Sequence, residues 1–274
     1  MLRFDVGAVV VELHGEPLLL APIGSYLRGF ESDLASEVRI VLRSALLDDR
    51  QLLPPENEIC VLRPGLGADE RRLEFRHRHL EARYDPGEAT LSVTLSTSES
   101  ARFRFFFQLL LRAFLAEWLI DNDGFALHAA SVVRDERAYL FVGQSGAGKS
   151  TVVRRFADGR ALNDDFSAVR RRVDRFVAAG TPIHTRADFE FLAQRRVVAA
   201  VMGLVQSRRL QARWLSASDF LPRLVPHVHC FSADPAAYRR ALTTCSEFVS
   251  SVRCAMLDFN LRDDIWREID ATDR

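Results

Sequence analysis

Gly143-Gln144-Ser145-Gly146-Ala147-Gly148-Lys149-Ser150-Thr151 is the stretch on which the reading of this chain turns. Residues 143–150 fit G-x-x-x-x-G-K-[ST], the phosphate-binding loop. Glycines let successive backbone N–H groups turn inward around anionic oxygens. A helix opening at the end of the loop aims its positive pole at the same anion. Lys149 adds a compact ammonium on a flexible stem, and Ser150 offers a hydroxyl suited to Mg²⁺. The flanks agree with the motif. Ala138 to Val142 reads as an apolar strand leading in, and a helix leads out to about Ala157. Lys149 is also the sole lysine, since every other of the 37 basic residues is arginine. An ammonium is kept where a planar guanidinium is hard to substitute.

Working outward, Asn163-Asp164-Asp165 follows the helix and a short strand from about Arg160. A helix of about ten residues spans ~15 Å, and the strand covers a similar distance back. A right-handed strand–helix–strand unit therefore returns Asp164 and Asp165 to the loop. Phosphoryl transfer uses one carboxylate on Mg²⁺ and one to accept a hydroxyl proton. Upstream, Phe125 to Val133 reads as a strand, and Arg134 to Arg137 as a turn. A hairpin closed there sets His128 opposite Gly143, at the mouth of the phosphate site.

The rest of the sequence bounds the answer. At 274 residues, one or two domains are expected. With 48% apolar residues the chain can bury a core, and 37 basic against 37 acidic residues argues against a nucleic-acid or membrane coat. Residues 1–100 read as a β-rich region and 101–274 as a catalytic domain. In the first, Val9 to Leu13 and Pro17 to Ala21 are expected strands around a His14-Gly15 turn. Glu37 to Ser44 is strand or helix, and Leu52 to Glu58 a loop. His79 to Tyr84 and Leu91 to Leu95 form a hairpin. Phe103 to Ile120 is apolar but interrupted by Arg104, Gln108, Arg112 and Glu117, which fits an amphipathic core helix rather than a membrane span.

Cys60, Cys230, Cys245 and Cys254 form no C-x-x-C pair and read as free thiols. With no signal layout at the start, a cytoplasmic protein is expected. His77 with His79, and His227 with His229, lack the further ligands a metal site needs. Arg170 to Arg172 and Arg175 flank a turn at Val173-Asp174, read as solvated, with docking of an acidic segment as the alternative. Arg186 is a candidate phosphate contact against a surface ion pair. Pro235 to Ser250, Val252 to Asp258 and Arg262 to Ile269 read as helix, strand and helix.

Taken in order, His128, the loop Gly143 to Ser150 and Asp164-Asp165 resemble the HPr kinase/phosphorylase family. Gly180-Thr181-Pro182-Ile183-His184 is similar to a segment of its kinase-like members. The resemblance covers about residues 101 to 274. It implies an α/β (α+β overall) fold of the HPr kinase and phosphoenolpyruvate-carboxykinase-like type behind the N-terminal β-rich region, and ATP- and Mg²⁺-dependent phosphorylation of a serine hydroxyl. Carried over, Lys149 and the loop from Gly143 through Gln144, Ser145, Gly146, Ala147 and Gly148 to Thr151 hold ATP. Ser150 and Asp165 hold Mg²⁺, Asp164 is the base, and His128 neighbours the transferring phosphate. The E-[IV]-R-G-[LI]-G signature of bifunctional members is absent, and Thr185-Arg186 stands where relatives often carry Gly-Glu. A peptide or small-protein acceptor carrying a serine is therefore expected in place of HPr, without the phosphorylase reaction. The family precedent suggests a homo-oligomer. A kinase of free serine or another metabolite, and a nucleotide-sensing module without catalysis, are the alternatives. N-K-x-D and L-S-G-G-Q are absent, which excludes signalling GTPases and ABC-type ATPases.

Overall fold

The computed structural model describes residues 2–47, 58–63, 71–96, 102–185, 189–260 and 264–272. Arg186 lies outside them, as does the expected loop at 52–58 apart from Glu58. The architecture is mixed α/β, with two sheets. The first sheet contains β1 (Leu2–Val6), β2 (Val9–Gly15), β3 (Val38–Ala45), β4 (Cys60–Leu62), β5 (Leu73–His77), β6 (Leu80–Asp85) and β7 (Thr90–Ser96). Their order across the sheet is β1-β2-β3-β7-β6-β5-β4. The hairpin of β6 and β7 closes with Asp85 opposite Thr90, as the alternation predicts.

One expected strand is a helix. Pro17 to Ala21 opens α1 (Pro17–Tyr26), and His14-Gly15 ends β2 rather than forming a turn. The cause is the pairing of β2 with β3, which is parallel. Parallel neighbours need a crossover, and α1 lies within it. Pro17 sits at the first helical turn, where its missing N–H costs nothing. Leu19, Ile23 and Tyr26 then bury one helical face.

Helix α2 (Phe103–Asp121) is buried on most of its circumference. It supplies Phe103, Phe106, Phe107, Leu110 and Phe114 to a core shared with the first sheet and with Ala126, Phe166 and Ala168 beyond it. His77 and His79 lie 5.3 and 5.1 Å from the Phe106 ring and pack there as aromatic neighbours.

The second sheet is built on β8 (Gly124–Arg134) and β9 (Arg137–Val142). Their register runs from Arg134↔Arg137 to Ala129↔Val142, the hairpin expected from the Arg134 turn. After the loop come α3 (Lys149–Phe156), β10 (Ala161–Asn163), β11 (Phe166–Arg172) and β12 (Arg175–Ala179). The chain continues through β13 (Arg195–Gln206), β14 (Gln211–Leu215), α4 (Ala217–Leu224), a 3-10 turn (Val225–His227) and β15 (Val228–His229). It ends with α5 (Pro235–Ser251), β16 (Arg253–Phe259) and α6 (Ile265–Thr272). Strand β9 runs parallel to β13, and β10 and β11 flank the opposite edge of β8. Pairings β8–β11, β11–β12, β12–β13, β13–β9 and β9–β8 close on themselves. The phosphate loop thus leaves β9 between β8 and β13.

The N-terminal sheet and the second sheet are joined by polar contacts. Tyr26 Oη donates to the Pro182 carbonyl at 2.9 Å, and Arg195 pairs with Asp5 at 2.7 Å. Arg170 meets Glu37 at 2.6 Å, and Arg172 meets it at 3.4 Å. The arginine cluster is therefore not merely a solvated turn: it binds an acidic residue of this chain. No helix among the described residues is long and apolar enough to cross a membrane.

Candidate functional site

The site begins where β9 ends. Gly146 and Gly148 adopt left-handed φ of 81° and 107°, a region that L side chains avoid. A Cβ on Gly148 would stand 2.5 Å from Phe259 Cζ, and one on Gly143 2.8 Å from Ala147 Cβ. The backbone is therefore held as a tight cradle at the N-terminus of α3. Gln206 Nε2 ties its tip by donating to the Gly146 carbonyl at 2.7 Å. Lys149 is 7% exposed. Its Nζ donates to the carbonyls of Gly143 at 2.8 Å and Gln144 at 3.2 Å. Burial pushes the Lys149 pKa down, and the charge of Asp165 opposes the shift.

Asn163 fixes the acidic pair. Its buried amide donates to Thr181 Oγ1 at 2.6 Å and to the Ile183 carbonyl at 2.7 Å, while Oδ1 accepts the Asp165 amide at 2.7 Å. This explains the place of the Gly180 to His184 segment: it is the wall against which the carboxylates turn. Asp164 and Asp165 then diverge. Asp164 is 1% exposed, and its carboxylate accepts the Thr185 amide at 3.0 Å and the Thr185 hydroxyl at 2.5 Å. Asp165 instead meets His128 Nδ1 at 2.9 Å through Oδ1 and Arg112 at 3.2 Å through Oδ2. Burial alone would raise the Asp165 pKa. The His128 hydrogen bond and the charges of Arg112 and His128 outweigh it, so the group lies below the usual carboxylate range.

Of the residues singled out from the sequence, the loop, Lys149, Asp165 and His128 gather here, with Ser150 in the first turn of α3. Asp164 faces the Thr185 side. Arg112, His227 and His229 join the cluster without having been singled out for it. The Phe166 ring lies under Arg112 at 5.6 Å and stacks on His229 at 5.1 Å. His229 in turn stacks on Phe231 at 6.1 Å. A cleft of about 570 Å³ opens on the β13 side of the loop, lined by residues that include Leu204, Val205, Arg223, Pro226, His227 and Met256.

His227, in the 3-10 turn, and His229, in β15, are both held toward the neutral form. Burial, reinforced by Arg112 and His128, lowers the His229 pKa to about 4. Burial, Lys149 and His128 also lower that of His227. The unfolded imidazole of His229 takes a proton below pH 6.5, while the folded one resists until about pH 4. Stability from this group is full above the upper value and falls as pH drops between the two, by on the order of 3 kcal/mol. His229→Gln should flatten that slope in urea denaturation run at successive pH values; an unchanged slope would show that His229 titrates normally.

No family model matches this chain, and comparison with curated proteins finds no match. Among solved structures, the HPr(Ser) kinase/phosphatase from Coxiella burnetii aligns at 10% identity with a TM-score of 0.33, over 53% of this chain and 94% of that one. A TM-score of that size does not establish a shared fold.

Proposed function

We propose that this chain is an ATP-dependent kinase acting on a hydroxyl, with a serine of a peptide or small protein as the acceptor. The observation that carries the reading is the convergence of a buried ammonium, a carboxylate and an imidazole on a cradle of left-handed glycines. A cradle that a Cβ would fill suits phosphate oxygens. The hard oxygen donors of Ser150 and Asp165 suit Mg²⁺. When bound, Mg²⁺ neutralises charge on the transferring phosphate. The chain's own residues do the rest. The loop amides from Gly143 to Gly148 and the start of α3 at Ser150 and Thr151 orient the phosphates, and Lys149 holds them.

His128 is the better-placed proton acceptor. Nδ1–H donated to Asp165 leaves the lone pair on Nε2, the tautomer a general base requires. Asp164, the base implied by the family resemblance, accepts an acceptor hydroxyl only if the Thr185 hydroxyl leaves it. Two variants separate these roles. His128→Asn should cut turnover by about 100-fold with nucleotide affinity unchanged. Asp164→Asn should disturb the Thr185 contact and cost less. The reverse order would return the base role to Asp164. The function itself is tested by incubating the protein with γ-labelled ATP, Mg²⁺ and serine-containing peptides, followed by mass spectrometry. Tight ATP binding with no transfer to any peptide or metabolite hydroxyl would favour a nucleotide-sensing module.

A further inference from the structure

The cleft on the β13 side of the phosphate loop has the size of a small-molecule pocket: about 570 Å³, against the ~300–1,000 Å³ usual for such sites. One rim is the loop itself, from Gly143 to Ala147. Apolar lining comes from distant parts of the chain: Leu204 and Val205 of β13, Pro226 of the 3-10 turn and Met256 of β16. A Cβ on Gly203 would stand 2.6 Å from Met256 Sδ, so the glycine leaves room for a polarisable thioether, a good neighbour for an aromatic ring. Polar groups are few. Arg223 donates to the Asp219 carbonyl and pairs with no carboxylate among the described residues. His227 makes no hydrogen bond among them, and its neutral imidazole offers one donor and one acceptor. No acidic side chain among the described residues lines the cleft, so nothing there repels a ligand that is anionic where it meets the loop.

In phosphoryl transfer the attacking and leaving oxygens lie roughly in line across the phosphorus. The proton acceptor His128 stands on β8, the cleft opens on the side of β13, and the loop leaves β9 between those two strands. An acceptor hydroxyl therefore enters from the His128 side, and the leaving group departs on the other. We infer that the cleft takes the nucleoside of the triphosphate, with its base against Leu204, Val205, Pro226 and Met256 and with His227 and Arg223 at its polar edge, and that the acceptor approaches from the side of Arg112 and His229. The inference rests on the kinase reading and adds to it the place of each substrate. Base burial supplies affinity that the phosphates alone do not.

The test uses the whole chain and an azido-adenosine triphosphate, photoreactive at the base. Irradiation and mass spectrometry should find the label on residues 203–206, 223–227 or 256. Label confined to Arg112, His229 or Phe231 would overturn the assignment. Calorimetry gives a second reading that needs no variant: ATP should bind about tenfold more tightly than inorganic tripolyphosphate, because the cleft buries the base. Equal affinities would mean that the nucleoside touches nothing. Val205→Trp then fills the cleft. Val205 is 42% exposed, so the larger ring does not overpack the core. ATP affinity should fall about tenfold, to that of tripolyphosphate. Tripolyphosphate affinity should stay native, which also shows the loop and fold intact. Native ATP affinity in Val205→Trp would remove the base from the cleft. Loss of the kinase reading looks different: label in the cleft with no transfer to any hydroxyl would leave the nucleoside site standing, whereas transfer with the label on the His128 side would do the reverse.

Discussion

Lys149→Ala should weaken the proposed nucleotide binding by about 100-fold and leave the fold in place. The ammonium is buried and donates to two loop carbonyls, at Gly143 and Gln144, rather than to a carboxylate. Two charge-assisted hydrogen bonds to phosphate, at about 1.5–3 kcal/mol each, account for a loss near 3 kcal/mol. The cost to the unliganded fold is smaller. Burial already disfavours the charged form of Lys149, so deleting it relieves a desolvation penalty while the loop carbonyls turn to solvent. Stability should shift by no more than about 1 kcal/mol. Thermal melting separates the two effects. Nucleotide should raise the melting temperature of the native protein by mass action and leave that of Lys149→Ala unmoved. Equal affinities by calorimetry would remove Lys149 from the phosphate site.

Legibility in the sequence follows the range of the contacts involved. The loop is a local motif, and the helix and strand after it carry the acidic pair back. The position of His128 follows from hairpin register, which a turn at Arg134 to Arg137 fixes. What was not legible is nonlocal. Arg112 could be seen as one of three polar positions four apart on α2, but nothing in the spacing says that its end of the stripe meets Asp165. His229 reaches the cluster because β15 pairs with β8 beyond the point where β9 departs into the loop. The divergence of Asp164 and Asp165 comes from the bend they form between β10 and β11, where Asn163 Oδ1 accepts the amides of Asp165 and Phe166 and turns the chain. The helix at Pro17 was hidden because a short apolar run has no period to read, and its parallel neighbour β3 lies after it.

Glu117→Ala should be the most damaging single change to the fold, at about 3–5 kcal/mol. Glu117 is fully buried, on α2. Its Oε1 accepts the amides of Phe231 at 2.7 Å and Ser232 at 2.9 Å, and its Oε2 accepts Ser232 Oγ at 2.9 Å and Arg63 at 2.6 Å. Arg63 follows β4 in the first sheet, and Ser232 precedes α5 in the second half, so one carboxylate joins three layers. Truncation leaves a buried guanidinium with Asp121 as its close partner, and two amides without an acceptor. Burial already pushes the Asp121 pKa up against the pull of Arg63 and Arg240, so it cannot absorb the change. Replacing both ends, Arg63→Met with Glu117→Leu, should cost less than the sum of the single changes, since no buried charge is then orphaned between them. The effect should reach the site as well. Phe231 lies two residues past His229, and freeing its amide loosens the stack that supports Arg112. Urea denaturation of the singles and the double forms the cycle; a Glu117→Ala loss under about 1 kcal/mol would mean that the layers are held by apolar packing alone.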